Sequence, residues 1–294
     1  MYPSLTWYDS VTSLTAAVQD QLDDMREIDA AIAAKAVFEG YCVHCRHVVD
    51  MAVNGGAMFG DDVNLREGLV CQRCGLNARS RLLFITARRL FADDAKLALL
   101  EAFSPLARYC AATWQDCRLS EFRDATALGG VICEFPGRMG QEDQLRYAIH
   151  QDMQALSFAD GELDGILHND VLEHVPDASR ALRQCSRVLK EDGILLFNVP
   201  WFPWLPRTLV RGRLDEDGVL HEFLPTEMHG DGLRPEGVYT FNSFGADLPE
   251  LLLDAGFRNV QFGLSYAPYA GMVTNNYRYG DDFLMLPVVV KAVR

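Results

Sequence analysis

Residues 163–201 read LDGILHNDVLEHVPDASRALRQCSRVLKEDGILLFNVPW, and this stretch decides the fold. Leu163, Ile166 and Leu167 form a short apolar run that closes on His168-Asn169-Asp170. Asp177 stands where a helix needs an N-cap, its carboxylate able to accept from the first free backbone N–H groups. Behind it Ala181, Leu182, Cys185, Val188 and Leu189 recur at helical spacing and share one face. Glu191-Asp192-Gly193 ends that helix, and Gly193 is the residue expected to take the left-handed conformation. Ile194 to Val199 is almost unbroken apolar sequence, which suits a strand covered on both faces. The stretch is one strand–helix–strand unit of an open α/β sheet. Ligands of such sheets sit beyond the carboxyl ends of the strands, so residues 168–174 and those after Pro200 are the places for a site.

Working outward, the same alternation continues. Strands are expected at 96–100, 118–122, 147–150, 259–264 and 284–292, with helices beginning at Pro105 and spanning 246–255. Residues 201–243 are a long insertion after the fifth strand, and 266–279 a loop between the last two.

Before this domain the character changes. Val11, Leu14, Val18, Leu22, Met25, Ile28 and Ile32 step by three and four, predicting a helix over 10–39 with one apolar stripe. That stripe either packs across the main domain, which is the simpler reading, or serves as a lid or homodimer contact. Cys42 and Cys45 make one C-x-x-C pair, Cys71 and Cys74 a second, with 25 residues between the pairs. Four thiolates from two tight turns complete a tetrahedral zinc shell, leaving no open position for chemistry. His44 and His47 are then unnecessary as ligands, and Gly75 follows the second pair as such knuckles require. A module this small gains its folding free energy largely from the metal, about 10–16 kcal/mol in comparable peptides. Residues 76–92 form a helix with Leu82, Leu83 and Leu90 inward; Arg79, Arg81, Arg88 and Arg89 read as a solvated face paired with acidic neighbours, or as a site for an anionic substrate or RNA.

The chain has 294 residues and a formal net charge of −14. So acidic a surface disfavours non-specific nucleic-acid binding. No apolar run is long enough to span a membrane. The N-terminus lacks the basic start and apolar core of an export signal. Eight cysteines without such a signal read as reduced thiols and metal ligands. A cytoplasmic protein is the expectation.

NDVLEHVPD followed by ALRQCSRVLKEDGILLFNVPW resembles the fourth strand, following helix and fifth strand of the class I S-adenosylmethionine-dependent methyltransferases of the type 11-like group. Lys190-Glu191-Asp192-Gly193 stands for their K-P-G-G, and Asn198-Val199-Pro200 for their T-x-P. NLREGLVCQRCGLNARSR, residues 64–81, is similar to a zinc-binding lead-in of some bacterial methyltransferases from sugar and natural-product pathways. The resemblance implies a Rossmann-like seven-stranded sheet with an antiparallel last strand, and three sections: a helical segment (1–40), a four-cysteine zinc module (41–80) and the methyltransferase domain (81–294).

It also implies a cofactor site. Glu101-Ala102-Phe103-Ser104-Pro105 replaces the usual E-x-G-x-G, so Glu101, Phe103 and Ser104 would face the methionine tail without either glycine; Ala102 and Ser104 are the small residues there. Glu121, with Glu134 as rival, matches the carboxylate that holds the ribose hydroxyls. Asp152-Met153 matches the adenine position, and Asn169-Asp170 lies below the sulfonium. A general base is needed only for a protonated acceptor; His229, His174 and His221 are the candidates. Aromatic residues of the insertion and the 266–279 loop, from Trp201 to Tyr279, suit either an acceptor wall or a lid core. The implied activity is methylation of O or N on a small molecule, a sugar or natural-product intermediate. Its rivals are a non-methylating reaction of the same cofactor that releases methylthioadenosine, and a non-catalytic zinc-bearing binding protein.

Overall fold

The computed structural model of the protein describes residues 4–53, 58–59, 62–137, 144–276 and 284–294. The main sheet has nine strands among the described residues. In chain order they are β1 (Thr6–Tyr8), β2 (Lys96–Leu99), β3 (Asp116–Glu121), β4 (Ile132–Phe135), β5 (Arg146–His150), β6 (Leu163–Asn169), β7 (Leu189–Asn198), β8 (Asn259–Leu264) and β9 (Val288–Val293). Across the sheet the order is β1-β8-β9-β7-β6-β2-β3-β5-β4. The five central strands β5, β3, β2, β6 and β7 run parallel, and β9 enters antiparallel between β7 and β8. Numbering the seven inner strands by their place in the chain gives 3-2-1-4-5-7-6, the order expected of the methyltransferase sheet.

Side chains on successive strand residues point to opposite faces, and two cores follow from that alternation. Ala98, Ile166, Leu195 and Phe197 join one apolar cluster. Leu97, Leu99, Leu167 and Leu196 join the other. The first face is covered by α1 (Val11–Val18), most of α2 (Leu22–Ala33), α6 (Ala178–Val188) and α7 (Leu248–Asp254). The second is covered by α4 (Ala78–Leu90), α5 (Pro105–Thr113) and the cysteine module.

The N-terminal segment therefore packs on the sheet, as its apolar stripe allows. It is shorter than the stripe suggests. A 3₁₀ turn at Gln19–Gln21 separates α1 from α2, the helix stops at Ala33, and Val37–Cys42 is a strand. β1 adds an edge to the sheet that has no sequence signal of its own, because three residues cannot show a period. Asp29 clasps α2 to the far end of the chain: its buried carboxylate accepts from Thr274 N at 2.9 Å, Thr274 Oγ1 at 2.6 Å and the Tyr266 hydroxyl at 3.1 Å.

The 163–201 unit holds as expected, with one correction. Asp177 caps α6 by accepting from Arg180 N at 2.8 Å. The helix ends at Val188 and β7 begins at once at Leu189, so Glu191-Asp192-Gly193 lies inside the strand, where the left-handed residue is Asp192 (φ 64°), not Gly193. Gly193 is needed for closeness instead: a Cβ there would meet Lys190 O at 2.9 Å. β3 and β5 each start earlier than 118 and 147, β9 starts at Val288 and not Leu284, and β4 is an additional edge strand.

The insertion after β7 is three small antiparallel pairings: 209–210 with 242–243, 212–214 with 220–222, and 228–229 with 238–239. Its first aromatic residues are core. Trp201 is buried, donates to Gly245 O at 2.8 Å and stacks on Phe262. Tyr277 and Tyr279 lie outside the described residues. No helix among the described residues is long and apolar enough to cross a membrane.

Candidate active site

The carboxyl ends of β2, β3, β5 and β6 open into a cavity of about 500 Å³, roofed by the insertion. Each strand end contributes. Leu100 follows β2, Glu121 ends β3, Asp152 and Met153 follow β5, and Asp170 and His174 follow β6. Val238, Tyr239 and Phe241 come down from the insertion. Arg234 straps the roof in place: it pairs with Asp231 at 2.5 Å and donates to Phe122 O at 2.5 Å, across to the loop after β3.

Glu121 accepts from Phe122 N at 3.1 Å. Burial, reinforced by Glu101 and Asp231 and opposed by Arg234, pushes its carboxyl up to about 7. Asp152 Oδ1 accepts from Gln154 N at 2.8 Å. The turn after β2 is built without glycine. Ser104 caps α5 by accepting from Ala107 N at 3.1 Å, and its hydroxyl donates to the Glu101 carboxylate. Burial raises the Glu101 carboxyl, against the lowering effects of Ser104 and Arg79. Phe103 turns away to an edge contact with Phe135 and lies under Arg146.

Beside the cavity the cysteine module delivers an arginine that sequence reading did not single out. Arg66, on the short helix α3 (Leu65–Gly68), grips Asp170 with both guanidinium nitrogens at 2.5 Å. Arg79, at the start of α4, adds a 3.4 Å contact. Burial favours the neutral acid, but Arg66 and Arg79 hold the Asp170 carboxyl well below the usual carboxylate range. Asp170 sits at φ 48°, a left-handed conformation that Asp tolerates better than most residues, stabilised here by the arginine fork. Asn169 turns away from the cavity. It accepts from Asn198 Nδ2 at 2.7 Å and donates to Ser80 Oγ at 3.2 Å. Asn198 also donates to Arg79 O at 3.1 Å, so the two amides fasten the start of α4 to the strand ends. The arginine-rich face of α4 is thus partly as expected and partly not. Arg79 pairs with Asp170 and Glu67. Arg81, in contrast, is fully buried and donates to the carbonyls of Leu76, Leu69 and Gly271.

Cys42, Cys45, Cys71 and Cys74 converge. Their sulfurs pair at 3.8 Å for Cys42 with Cys74 and 3.8 Å for Cys45 with Cys71. A tetrahedron with metal–sulfur bonds of about 2.3 Å has sulfur–sulfur edges of about 3.8 Å, so the cluster already has the dimensions of a four-thiolate zinc site. The two knuckles are built alike. Arg46 N bonds to Cys42 O at 2.7 Å and Gly75 N to Cys71 O at 2.8 Å, with Arg46 and Gly75 both left-handed.

The three histidine candidates part company. His221 is on the exposed 220–222 strand and pairs with Asp215 at 2.7 Å. His174 and His229 come together, with ring centres 5.0 Å apart. Close to both lies Glu173, fully buried, with neither carboxylate oxygen hydrogen-bonded. Burial pushes the Glu173 carboxyl up to about 8 and His174 down to about 4. Burial also works against charge on His229, but its bond to Glu227 and the carboxylates of Glu173, Glu227 and Asp170 raise it overall.

Against known families, residues 134–197 match the model of a methyltransferase domain. That match and the strand order give the main domain the fold of a methyltransferase domain. A Mycobacterium tuberculosis protein named "Probable S-adenosylmethionine-dependent methyltransferase" is 30% identical over 147 residues, 49% of this chain and 42% of that relative. The chain therefore spans less than half of that relative's length. The ubiquinone biosynthesis O-methyltransferase of Pseudomonas syringae pv. tomato is 25% identical over 169 residues, 54% of this chain and 66% of that protein. The structure of an S-adenosylmethionine-dependent methyltransferase from Mesorhizobium loti covers 72% of this chain and 98% of its own, at 13% identity and a TM-score of 0.41. The strand order, not that superposition, identifies the fold.

The cavity suits the adenosine end of S-adenosylmethionine, the cofactor implied by the resemblance. Glu121, Asp152 and Met153 all line the cavity, where ribose hydroxyls and an adenine amino group need acceptors. At the other end Leu100 lines it, while the carboxylate of the next residue, Glu101, accepts from the Ser104 hydroxyl. Glu134, the rival to Glu121, is instead on the edge strand β4 and accepts from the Tyr147 hydroxyl at 3.2 Å.

Proposed function

We propose that the protein is an S-adenosylmethionine-dependent methyltransferase acting on an oxygen or nitrogen of a small molecule, with a structural zinc ion at Cys42, Cys45, Cys71 and Cys74. The observation that carries this reading is the cavity itself. Carboxylates from the ends of β3 and β5 line it where the cofactor's adenosine belongs, and His174 with the insertion lines it where an acceptor would enter. A sugar or natural-product intermediate is the acceptor class that the sequence resemblance implies. An oxygen acceptor is favoured by the likeness to an O-methyltransferase.

The cofactor would supply a methyl group already activated on a sulfonium. The chain's own residues hold and orient. Glu121 takes the ribose hydroxyls, Asp152 and Met153 the adenine, and Glu101 the ammonium of the tail. Tyr239 and Phe241 exclude water and offer ring faces to an acceptor or to a sulfonium. Alignment of this kind contributes about 7–11 kcal/mol in well-oriented reactions, and the charge-balanced floor at Asp170 keeps its geometry rigid. His174 lines the cavity with His229 beside it, and these are the imidazoles available near an acceptor.

The test is calorimetry with S-adenosylhomocysteine, followed by methyl transfer from labelled cofactor to a panel of hydroxylated and aminated small molecules. Binding together with label transfer is expected. Methylthioadenosine released from cofactor alone would replace this reading with a non-methylating one. Absence of any cofactor affinity would leave a binding protein on a methyltransferase scaffold.

A further inference from the structure

We propose that Glu173, His174 and His229 form a second metal site, distinct from the four cysteines, which holds a divalent transition-metal cation against the acceptor end of the cavity. The inference rests on the methyl-transfer reading for its role, but not for its existence. Its first support is an orphan. Glu173 has no exposed surface and neither of its carboxylate oxygens has a hydrogen-bond partner, in an interior where unpaired carboxylates are rare. Its second is convergence. One ligand atom from each of the three residues falls within 4.8 Å of the others. His174 Nε2 is 3.7 Å from Glu173 Oε1, and His229 Nδ1 is 3.9 Å from the same atom. Ligands about 2.1 Å from a metal stand about 3.0–3.4 Å apart, so the two edges to Glu173 must close by a few tenths of an ångström and the edge between the imidazoles by no more than about 1.5 Å.

The third support is the outer ring nitrogens. His174 Nδ1 lies 2.9 Å from Tyr239 O, a carbonyl that can only accept, so Nδ1 carries the proton and Nε2 is left with a free lone pair. His229 Nε2 lies 3.2 Å from the Glu227 carboxylate, which leaves the Nδ1 lone pair facing Glu173. Glu227 is itself held by Arg211 at 3.2 Å. Metal-binding histidines characteristically donate their second nitrogen to a carbonyl or carboxylate in this way, which fixes tautomer and ring orientation. Two imidazoles and one carboxylate suit zinc, iron, cobalt or manganese, and three protein ligands leave positions open. His174 lines the cavity, so the open side faces the acceptor.

This sharpens the substrate class to a hydroxyl compound. With the acceptor oxygen on the cation its proton leaves to water. The oxygen lone pair then forms the O–CH3 bond while the C–S bond breaks, its electron pair staying on sulfur as sulfonium becomes thioether. The cation's role is that of a Lewis acid lowering the pKa of the bound hydroxyl.

The test is equilibrium dialysis of the full chain, carrying its zinc, against Mn2+ and separately Co2+, with metal analysis and no cofactor present. One retained equivalent of the added ion per chain, beyond zinc, is expected. Glu173→Gln and His229→Ala should lose that equivalent and keep the zinc. Glu227→Gln removes no ligand and should weaken binding by about 10–100-fold. Retention of neither ion, or equal retention by the variants, overturns the site. Binding without any methyl transfer would retain the site and refute only the function assigned above.

Discussion

The two clusters of ligand-type side chains are built by opposite routes. The four cysteines come as two i, i+3 pairs, each closed by its own backbone turn, and Cys42, Cys71 and Cys74 are walled into a core. Four thiolates leave nothing open. Glu173 and His174 are neighbours in a 3₁₀ turn, but His229 arrives from a different hairpin of the insertion. Three ligands beside a cavity leave room for a substrate atom. A site assembled from local turns is made to hold structure. One completed by a distant loop over a cavity is suited to chemistry.

The strongest way to break that contrast is Cys71→Ser. If the thiolate cluster is the module's main source of folding free energy, a contribution of about 10–16 kcal/mol is at stake. Zinc content should fall, the thermal transition should lose cooperativity, and S-adenosylhomocysteine binding should go with it, because the module carries Arg66 to Asp170. A variant that melts like the parent would mean that the module stands without its metal. Arg66→Ala probes the link between module and cavity more gently. It strips Asp170 of its bidentate partner and leaves Arg79 alone to face a buried carboxylate. Breaking a buried pair costs about 3–5 kcal/mol, and the remaining arginine places this one near the lower end. Urea denaturation would read the loss, with zinc content unchanged.

The same contrast explains what the sequence disclosed. Cysteine pairs, the Asp177 cap and the apolar runs of β6 and β7 are local patterns, and each predicted its element. Glu121, Asp152, Met153 and Asp170, singled out through the resemblance, line the cavity because strand ends bring such residues to one edge. The breaks in the first helix and the strand at Val37–Cys42 stayed hidden. The apolar stripe runs through the 3₁₀ turn without interruption, and helix packing tolerates the kink. Arg66 was hidden because its partner is a hundred residues away. Glu173 was passed over in favour of the histidine beside it, although a glutamate inside an apolar L-E-H-V turn is the stronger oddity.

Glu121 gives a smaller and pH-dependent effect. Its carboxyl is raised by burial to about 7, whereas in the unfolded chain it titrates near 4.3. The folded state therefore binds the proton more tightly, and the stability tied to this group is fully present below about 4.3 and declines as pH rises to about 7. Cofactor binding has the opposite sign, because ribose hydroxyls donate to the ionised form. Affinity for S-adenosylhomocysteine should strengthen as pH is raised from 6 to 8, by up to about tenfold. Glu121→Gln should weaken binding roughly 10–150-fold at pH 8, the range for hydrogen bonds to a charged group, and should flatten the pH profile. A profile that keeps its slope in the variant would move the titration to another residue.

The smallest effect should come from His221→Ala, set against His229→Ala. Both residues lie in hairpins of the insertion. The His221 side chain is 58% exposed, and its partner Asp215 is exposed as well. An exposed ion pair gains little from Coulomb attraction in water and gives back side-chain freedom to hold its geometry. Melting temperature and kcat/KM should both stay at the parent values in His221→Ala, while His229→Ala loses turnover with its fold intact. The pair of variants thus asks whether the chemistry follows position in the insertion or convergence on Glu173. A tenfold loss in His221→Ala would show that the 212–222 hairpin closes over the acceptor, and would extend the site beyond the cluster around Glu173.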